Sequence, residues 1–590
     1  MKVFFKIFFA CLLALVIFSL LGFFILMGIG ASSFSKDKPK VGGKGILVID
    51  LSNAMQEQSN PDDDVSSAFN KLKGSDDYSV GLYDAVRLIE YAKGDSAIKG
   101  IIIKANNNAN SYAASEEIKS AIANFKRSNK FVYAYGTAIA QRAYYVATSA
   151  DKVYVHPSGG VEWAGLSTNL MFYKGLLDKL EIQPEIFYAG KFKSATEPFR
   201  ATQMTDANRL QTTVWIGDIY GKILSDVSVD RKIDTTTLRN LANTAAIQTS
   251  NDALKYHLVD GLKYDDEIRT EIGKKVNESD ITKLNFVSLA TYAKATDFKD
   301  FSGEDKIALI YAEGDIVDGQ GEDKSIGGDN FRNIIRAARL DNSVKAIVLR
   351  VNSPGGSALA SDVIWREIAL AKKVKPVVVS MGTYAASGGY YISCNGSYIF
   401  AEPNTITGSI GVFSMFINPS TFLKNKLGVT FDGVKTGPYA DLGSMGRPLT
   451  QPERNLFQAS VDSIYHTFLS RVAEGRHKTI AEVDSIAQGR VWTGKRAISI
   501  GLVDSTGTLK DAVLYAAKLA KSKSFYLKEY PQTKGFFDKL FGEDKSGDMQ
   551  ESMIKNALGD WQFDVYKRFK NLQTMSNSVQ TRIPFAADLK

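Results

Sequence analysis

The sequence predicts an α/β protein: two tandem copies of one domain with mainly parallel sheets, preceded by one N-terminal transmembrane helix. Three observations carry this. Segments of the chain repeat at a nearly constant shift, short β-branched runs alternate with amphipathic stretches inside each copy, and an uncharged apolar run stands near the N-terminus. At 590 residues the chain also exceeds what one hydrophobic core usually supports.

The repeat begins with Lys99-Gly-Ile-Ile-Ile-Lys-Ala-Asn106, which resembles Lys345-Ala-Ile-Val-Leu-Arg-Val-Asn352, 345 against 99, a shift of 246. Gly136-Thr137 against Gly382-Thr383, Tyr144-Tyr145 against Tyr390-Tyr391, Pro157 against Pro403 and Gly165 against Gly411 keep that shift. One residue of slip pairs Lys179-Leu180 with Lys426-Leu427, and Leu258-Val259-Asp260 matches Leu502-Val503-Asp504 at 244. So sustained a register is the mark of a duplicated domain.

Within a copy, Ile307–Tyr311, Ala346–Val351, Val377–Met381 and Tyr398–Phe400 read as buried strands. Asn330–Leu340 and Ser361–Lys373 carry apolar residues at three-to-four spacing, the helical period. Strands alternating with helices imply right-handed crossovers and a parallel sheet, whose active groups sit at the carboxyl ends of the strands.

At the N-terminus, Lys2 and Lys6 precede an uncharged stretch from Ile7 to Phe34, long enough to cross a bilayer. The two lysines favour a cytoplasmic N-terminus, although Lys36, Lys38 and Lys40 weaken the asymmetry. The reading is an uncleaved anchor, with a cleaved signal peptide as the alternative because Gly28, Gly30 and Ala31 are small. The expected organisation is an anchor over 1–35, a first repeat over 36–304, a second over 305–525 and a tail over 526–590 that belongs to neither. In that tail, Gly535–Phe541 reads as an amphipathic segment, most simply a helix packed on its own domain.

Composition excludes several function classes. The net charge of +8 is spread along the chain with no basic block, which argues against nucleic acid. The two cysteines, Cys11 and Cys394, form no metal-binding pattern, and the four histidines are far apart. No metal and no cofactor is expected.

Two motifs in the second copy carry chemistry. Asn352-Ser-Pro-Gly-Gly-Ser357 follows a predicted strand and precedes a predicted helix, where glycines let the backbone turn and present N–H groups. Met381-Gly-Thr-Tyr-Ala-Ala-Ser-Gly-Gly-Tyr390 places Ser387 among small residues at a helix start. There a helix-capping serine and a nucleophile look alike. The first copy serves as an internal control, having Asn107–Asn110 at the glycine turn and Gln141-Arg142 where the second has Ser387-Gly388.

Asn352–Ser357, Ala385–Tyr390 and Ile406-Thr-Gly-Ser-Ile-Gly411 resemble the signature of the signal peptide peptidase A family in its long, duplicated form. Gly190-Lys-Phe-Lys-Ser-Ala-Thr-Glu-Pro-Phe199 is similar to the family's segment bearing a catalytic lysine, and with Arg490–Gly494 the likeness spans roughly residues 1–525. The resemblance implies the fold shared by the Clp protease and crotonase-like enzymes. It implies a Ser–Lys dyad in which Ser387 attacks the peptide carbonyl and Lys193 takes its proton. It further implies that Ser409 orients the lysine, and that backbone amides of Gly355, Gly356 and Gly388 form the oxyanion hole. Substrates would be remnant signal peptides or other unfolded peptides. The assembly would be a homotetramer, anchored in the inner membrane with its catalytic domains on the periplasmic side. A lysine near its reference pKa of ~10.4 is protonated at neutral pH, so Lys193 must be desolvated to serve as base, with Phe192 or Tyr384 as candidate walls. Lys191 is the rival base two residues away. Lys193 matches Ala440 in the second copy, so each copy lacks what the other supplies. Two other functions stay open: a crotonase-like acyl-CoA enzyme using the same amides, and a non-catalytic membrane scaffold.

Overall fold

The computed structural model describes residues 6–8, 12–21, 39–60, 79–322, 324–532, 559, 562–563 and 579–583. In chain order the first copy contributes β1 (Gly45–Asp50), β2 (Ile98–Lys104), β3 (Phe131–Ile139), β4 (Lys152–Val161), β5 (Gln183–Ala189), β6 (Gly261–Leu262) and β7 (Phe286–Ser288). All but β5 form one parallel sheet in the order β6-β4-β3-β2-β1-β7. The inner strands are buried on both faces over their central residues, which is why β2 reads as a continuous apolar run over Gly100–Ile103.

The second copy supplies β8 (Asp305–Glu313), β9 (Asp315–Val317), β10 (Ser325–Gly327), β11 (Val344–Ser353), β12 (Gly355–Ser357) and β13 (Val377–Ala386). It continues with β14 (Tyr398–Ala401), β15 (Ile406–Gly408), β16 (Val412–Asn418), β17 (Val491–Thr493), β18 (Ser505–Thr506) and β19 (Phe525–Tyr530); β20 (Gln580–Arg582) stands last. The parallel series β18-β14-β13-β11-β8-β19 repeats the first sheet strand for strand. In it β19 holds beside β8 the place that β7 holds beside β1. The duplication is therefore a feature of topology as well as of sequence.

A third sheet, β10-β9-β12-β20-β16-β5, joins the two copies. Here β5 of the first copy runs antiparallel to β16 of the second through seven residue pairs, from Ala189↔Val412 to Gln183↔Asn418. A buried ionic cluster makes a second junction. Arg350 on β11 donates to Glu57 (2.8 Å) and to Glu117 (2.5 Å) on a first-copy helix, with all three side chains buried.

Among the described residues no helix is long and apolar enough to cross a membrane. Much of the anchor expected over 1–35 lies outside the described residues, although 6–8 and 12–21 are helical. The amphipathic segment expected over 535–541 lies outside them altogether.

Candidate active site

The crossing of β5 with β16 brings distant residues together. Lys193 lies four residues beyond the end of β5, and Ser409 lies between β15 and β16. Ser387 lies between β13 and the short helix Gly388–Ser393, at the carboxyl end of a central strand. Lys193 Nζ is 2.8 Å from Ser387 Oγ, 3.2 Å from the Ser409 carbonyl oxygen and 3.3 Å from Ser409 Oγ. All three residues are buried, Lys193 at 1% exposure and Ser387 at 0%.

Burial, with no charged group opposing it, holds the Lys193 amine well below the ordinary lysine range. Its three neighbours suit a neutral amine. Two N–H groups can serve the two Ser409 oxygens, leaving the lone pair for the Ser387 hydroxyl.

Ser387 sits at φ +56°, a region that non-glycine residues visit rarely. The turn is held from both sides, since the Ser387 N–H donates to the Gly408 carbonyl (2.7 Å) and the Ser387 carbonyl accepts from Tyr391 N–H (2.8 Å). Strain of this kind persists only where surrounding structure over-determines it.

The lysine loop is pinned at several points. Phe192 N–H donates to the Gln488 carbonyl at 2.7 Å, and a Cβ on Gly489 would fall 2.6–2.8 Å from Lys193 backbone and Cβ atoms, so only glycine fits there. Gln211, on the helix Asp206–Arg231, donates to the Phe192 carbonyl and to Ser194 Oγ at 3.0 Å each, while its own carbonyl accepts from Val491 N–H at 3.1 Å. One buried amide thus ties the lysine loop to β17, and β17 pairs with β15 just ahead of Ser409.

The other residues singled out by sequence fall as follows. Lys191 is exposed, its ammonium lying 6.0 Å from the Phe192 ring centre, and the hydrogen bonds to Ser387 and Ser409 are made by Lys193. Gly388 opens the helix after Ser387, and Gly355 (φ +102°) packs so closely that a Cβ there would lie 2.8 Å from Gly388 N. The Gly355 amide donates to Ser353 Oγ at 3.2 Å, while Gly356 lies in β12 opposite Thr581 of β20. In the first copy Gln141, at the position of Ser387, is buried and bonded to Ala164 and Gly165 backbone, a structural role with no hydroxyl. Gln211 and β20 gave no functional signal in the sequence. Among the described residues no cluster of His, Cys, Asp and Glu could hold a metal.

The profile of peptidase family S49 matches this chain twice, over 124–279 and 369–523, one match in each copy. The chain belongs to peptidase family S49. It is 38% identical over 523 residues to Protease 4 of Salmonella typhi, covering 87% of this chain and 83% of that one. It is 35% identical over 519 residues to Protease 4 of Haemophilus influenzae, covering 85% and 84%. A putative signal peptide peptidase SppA of Enterococcus faecium is 32% identical over 301 residues, 49% of this chain and 83% of that one. This S49 protein is accordingly a serine peptidase with duplicated domains, and the acyl-CoA and scaffold alternatives give way to that assignment.

Proposed function

We propose that this S49 peptidase degrades remnant signal peptides and other unfolded peptides outside the cytoplasm, with Ser387 as nucleophile and Lys193 as general base. The observation that carries the reading is the 2.8 Å contact between Lys193 Nζ and Ser387 Oγ inside a buried, uncharged pocket. Neutral Lys193 takes the hydroxyl proton as Ser387 attacks the peptide carbonyl. The ammonium so formed, held by both Ser409 oxygens, then protonates the leaving amine. Water hydrolyses the acyl-enzyme by the same route in reverse, with Lys193 again accepting a proton.

Charge developing on the carbonyl oxygen needs donors aimed at it before the reaction. The Gly388 amide, directly after the nucleophile, is the leading donor. The Gly355-Gly356 turn packed against it completes the hole or holds the peptide backbone beside it. The E. faecium relative's name supports signal peptides as substrates. An N-terminal anchor with the catalytic part on the periplasmic face of the inner membrane, and a homotetramer, complete the proposal on the strength of the family resemblance. Size-exclusion chromatography with light scattering of the detergent-solubilised chain tests the assembly, and a monomer mass overturns it.

The deciding experiment is hydrolysis of a fluorogenic signal-peptide fragment by wild type, Ser387→Ala and Lys193→Ala. Both variants should stay folded and lose activity by a similar factor, on the order of a thousandfold or more. Near-normal activity in Lys193→Ala would remove the lysine from its role, and near-normal activity in both would overturn the mechanism.

A further inference from the structure

Gln488-Gly489-Arg490, just ahead of β17, forms a collar around Lys193 and Ser409. The Gln488 carbonyl accepts from Phe192 N–H (2.7 Å), Gly489 packs against Lys193, and the Arg490 carbonyl accepts from Ser409 N–H (2.7 Å). The Arg490 side chain continues the grip. Its guanidinium lies 5.0 Å from the Phe192 ring centre on the lysine loop and 4.4 Å from the Trp492 ring centre on β17. Trp492 is itself fixed, its indole N–H donating to the Ile486 carbonyl at 2.9 Å. Among the described residues Arg490 has no carboxylate partner. Its charged neighbour is Arg496, which repels it and is paired with Asp218. Two ring faces therefore hold a half-buried cation that desolvation and a like charge both oppose.

The first copy supplies a control. At the shift of 244 that aligns Leu258–Asp260 with Leu502–Asp504, Thr249 matches Thr493, and each is the N-cap of a short helix. Ala245 (φ +47°) then matches Gly489 (φ +73°), so the turn itself is present in both copies. Ala246 and Gln248, however, stand where the second copy has Arg490 and Trp492. The arginine–tryptophan pair belongs only to the copy that holds the nucleophile.

We propose that Arg490 is a positioning residue for the dyad, its main chain fixing Ser409 while its guanidinium, stacked between Trp492 and Phe192, clamps the lysine loop shut over Lys193. The proposal rests on the proteolytic reading above and deepens it by naming what keeps the base dry. Phe192 directly precedes Lys193, so a ring released from the clamp lets water reach the lysine stem. A planar, weakly hydrated guanidinium lies flat on a ring, whereas an ammonium brings water with it.

The test measures kcat and KM for the fluorogenic signal-peptide fragment across pH, with thermal melts alongside. It compares wild type, Arg490→Met, Arg490→Lys, Phe192→Leu and the Phe192→Leu/Arg490→Met double variant. Arg490→Met should lower kcat roughly tenfold to a hundredfold with KM little changed. Its kcat/KM midpoint should move upward, toward that of an ordinary lysine, because water restores the protonated amine. Arg490→Lys keeps the charge and the stem but should shift the midpoint in the same direction. In the Phe192→Leu background, Arg490→Met should add little further shift, since both changes act through one ring. A wild-type midpoint in Arg490→Lys, the milder change, overturns the clamp by itself, and so do additive shifts in the double variant. A loss of stability in Arg490→Met with an unmoved midpoint overturns it too, by marking the residue as merely structural. Absence of Ser387-dependent hydrolysis in the wild type overturns the proteolytic reading instead, and the clamp falls with it.

Discussion

Lys193 has been taken out of water without a counter-charge, and that has a cost to folding which activity alone does not reveal. Its folded pKa stands below its unfolded value. Between those two values the unfolded chain holds a proton that the folded chain has given up, so the lysine destabilises the fold, and the penalty fades as pH rises to ~10.4. Lys193→Met should therefore be inactive yet melt higher than wild type near neutral pH. Its advantage should shrink by about 1.4 kcal/mol per pH unit and vanish near ~10. Thermal melts of the two proteins across that range check the sign, and a pH-independent difference would count against a neutral Lys193. The same shift fixes the direction of the activity profile: kcat/KM rises with pH as Lys193 loses its proton, at a pH below that of an ordinary lysine. Ser387 stores strain of a different kind. Its φ of +56° suits glycine, so Ser387→Gly should be more stable than the equally inactive Ser387→Ala by up to about 1 kcal/mol.

At the scale of elements, the dyad depends on a loop that begins in one copy and is gripped by the other. Gln211 makes three of the contacts that matter, two to the lysine loop and one to β17. Gln211→Ala should lower kcat far more than it raises KM, and should move the pH profile toward that of an ordinary lysine as water reaches the loosened loop. A merely structural role would lower stability and leave the profile's midpoint in place. The duplication was legible in sequence because constant spacing survives when residue identity does not, and four central strands of the second copy, β8, β11, β13 and β14, announced themselves as apolar runs. Ser387, Lys193 and Ser409 were singled out by motif, and the structure brings Lys193 within hydrogen-bonding distance of both serines. The β5–β16 crossing that brings them there was not legible, since pairing between distant strands leaves no periodic trace. Gln211 stayed hidden because Asn208, Gln211 and Thr212 share a helix face whose polar residues look like a solvated surface. β20 stayed hidden because a strand held by main-chain bonds needs no apolar run.

On the scale of the whole molecule, the site exists only while the two copies keep their relative position, and Arg350 is the charged pin of that junction. Its guanidinium reaches Glu57 and Glu117, both contributed by the first copy, from a strand in the core of the second. Burial pushes the Glu117 carboxyl upward while the Arg350 charge opposes that rise. Arg350→Met keeps the volume and removes the cation, leaving buried carboxylates without a counter-charge, a loss of about 3–5 kcal/mol. Its pH dependence identifies the cause. Without the cation, the folded pKa of Glu117 rises further above its unfolded value, so folding is favoured only where the carboxyl is protonated, and that support is lost as pH rises. The drop in melting temperature should therefore be larger at about pH 8 than at about pH 5. A second substitution, Glu117→Gln, should recover part of it at the higher pH by removing the charge that has no partner. If the deficit were the same at both pH values, lost packing rather than an unpaired carboxylate would explain it. Activity should respond to the same variant, because loosening the copies moves Lys193 relative to Ser387. A fall in kcat at a temperature where Arg350→Met remains folded would show that the junction sets the geometry of the dyad as well as the stability of the chain.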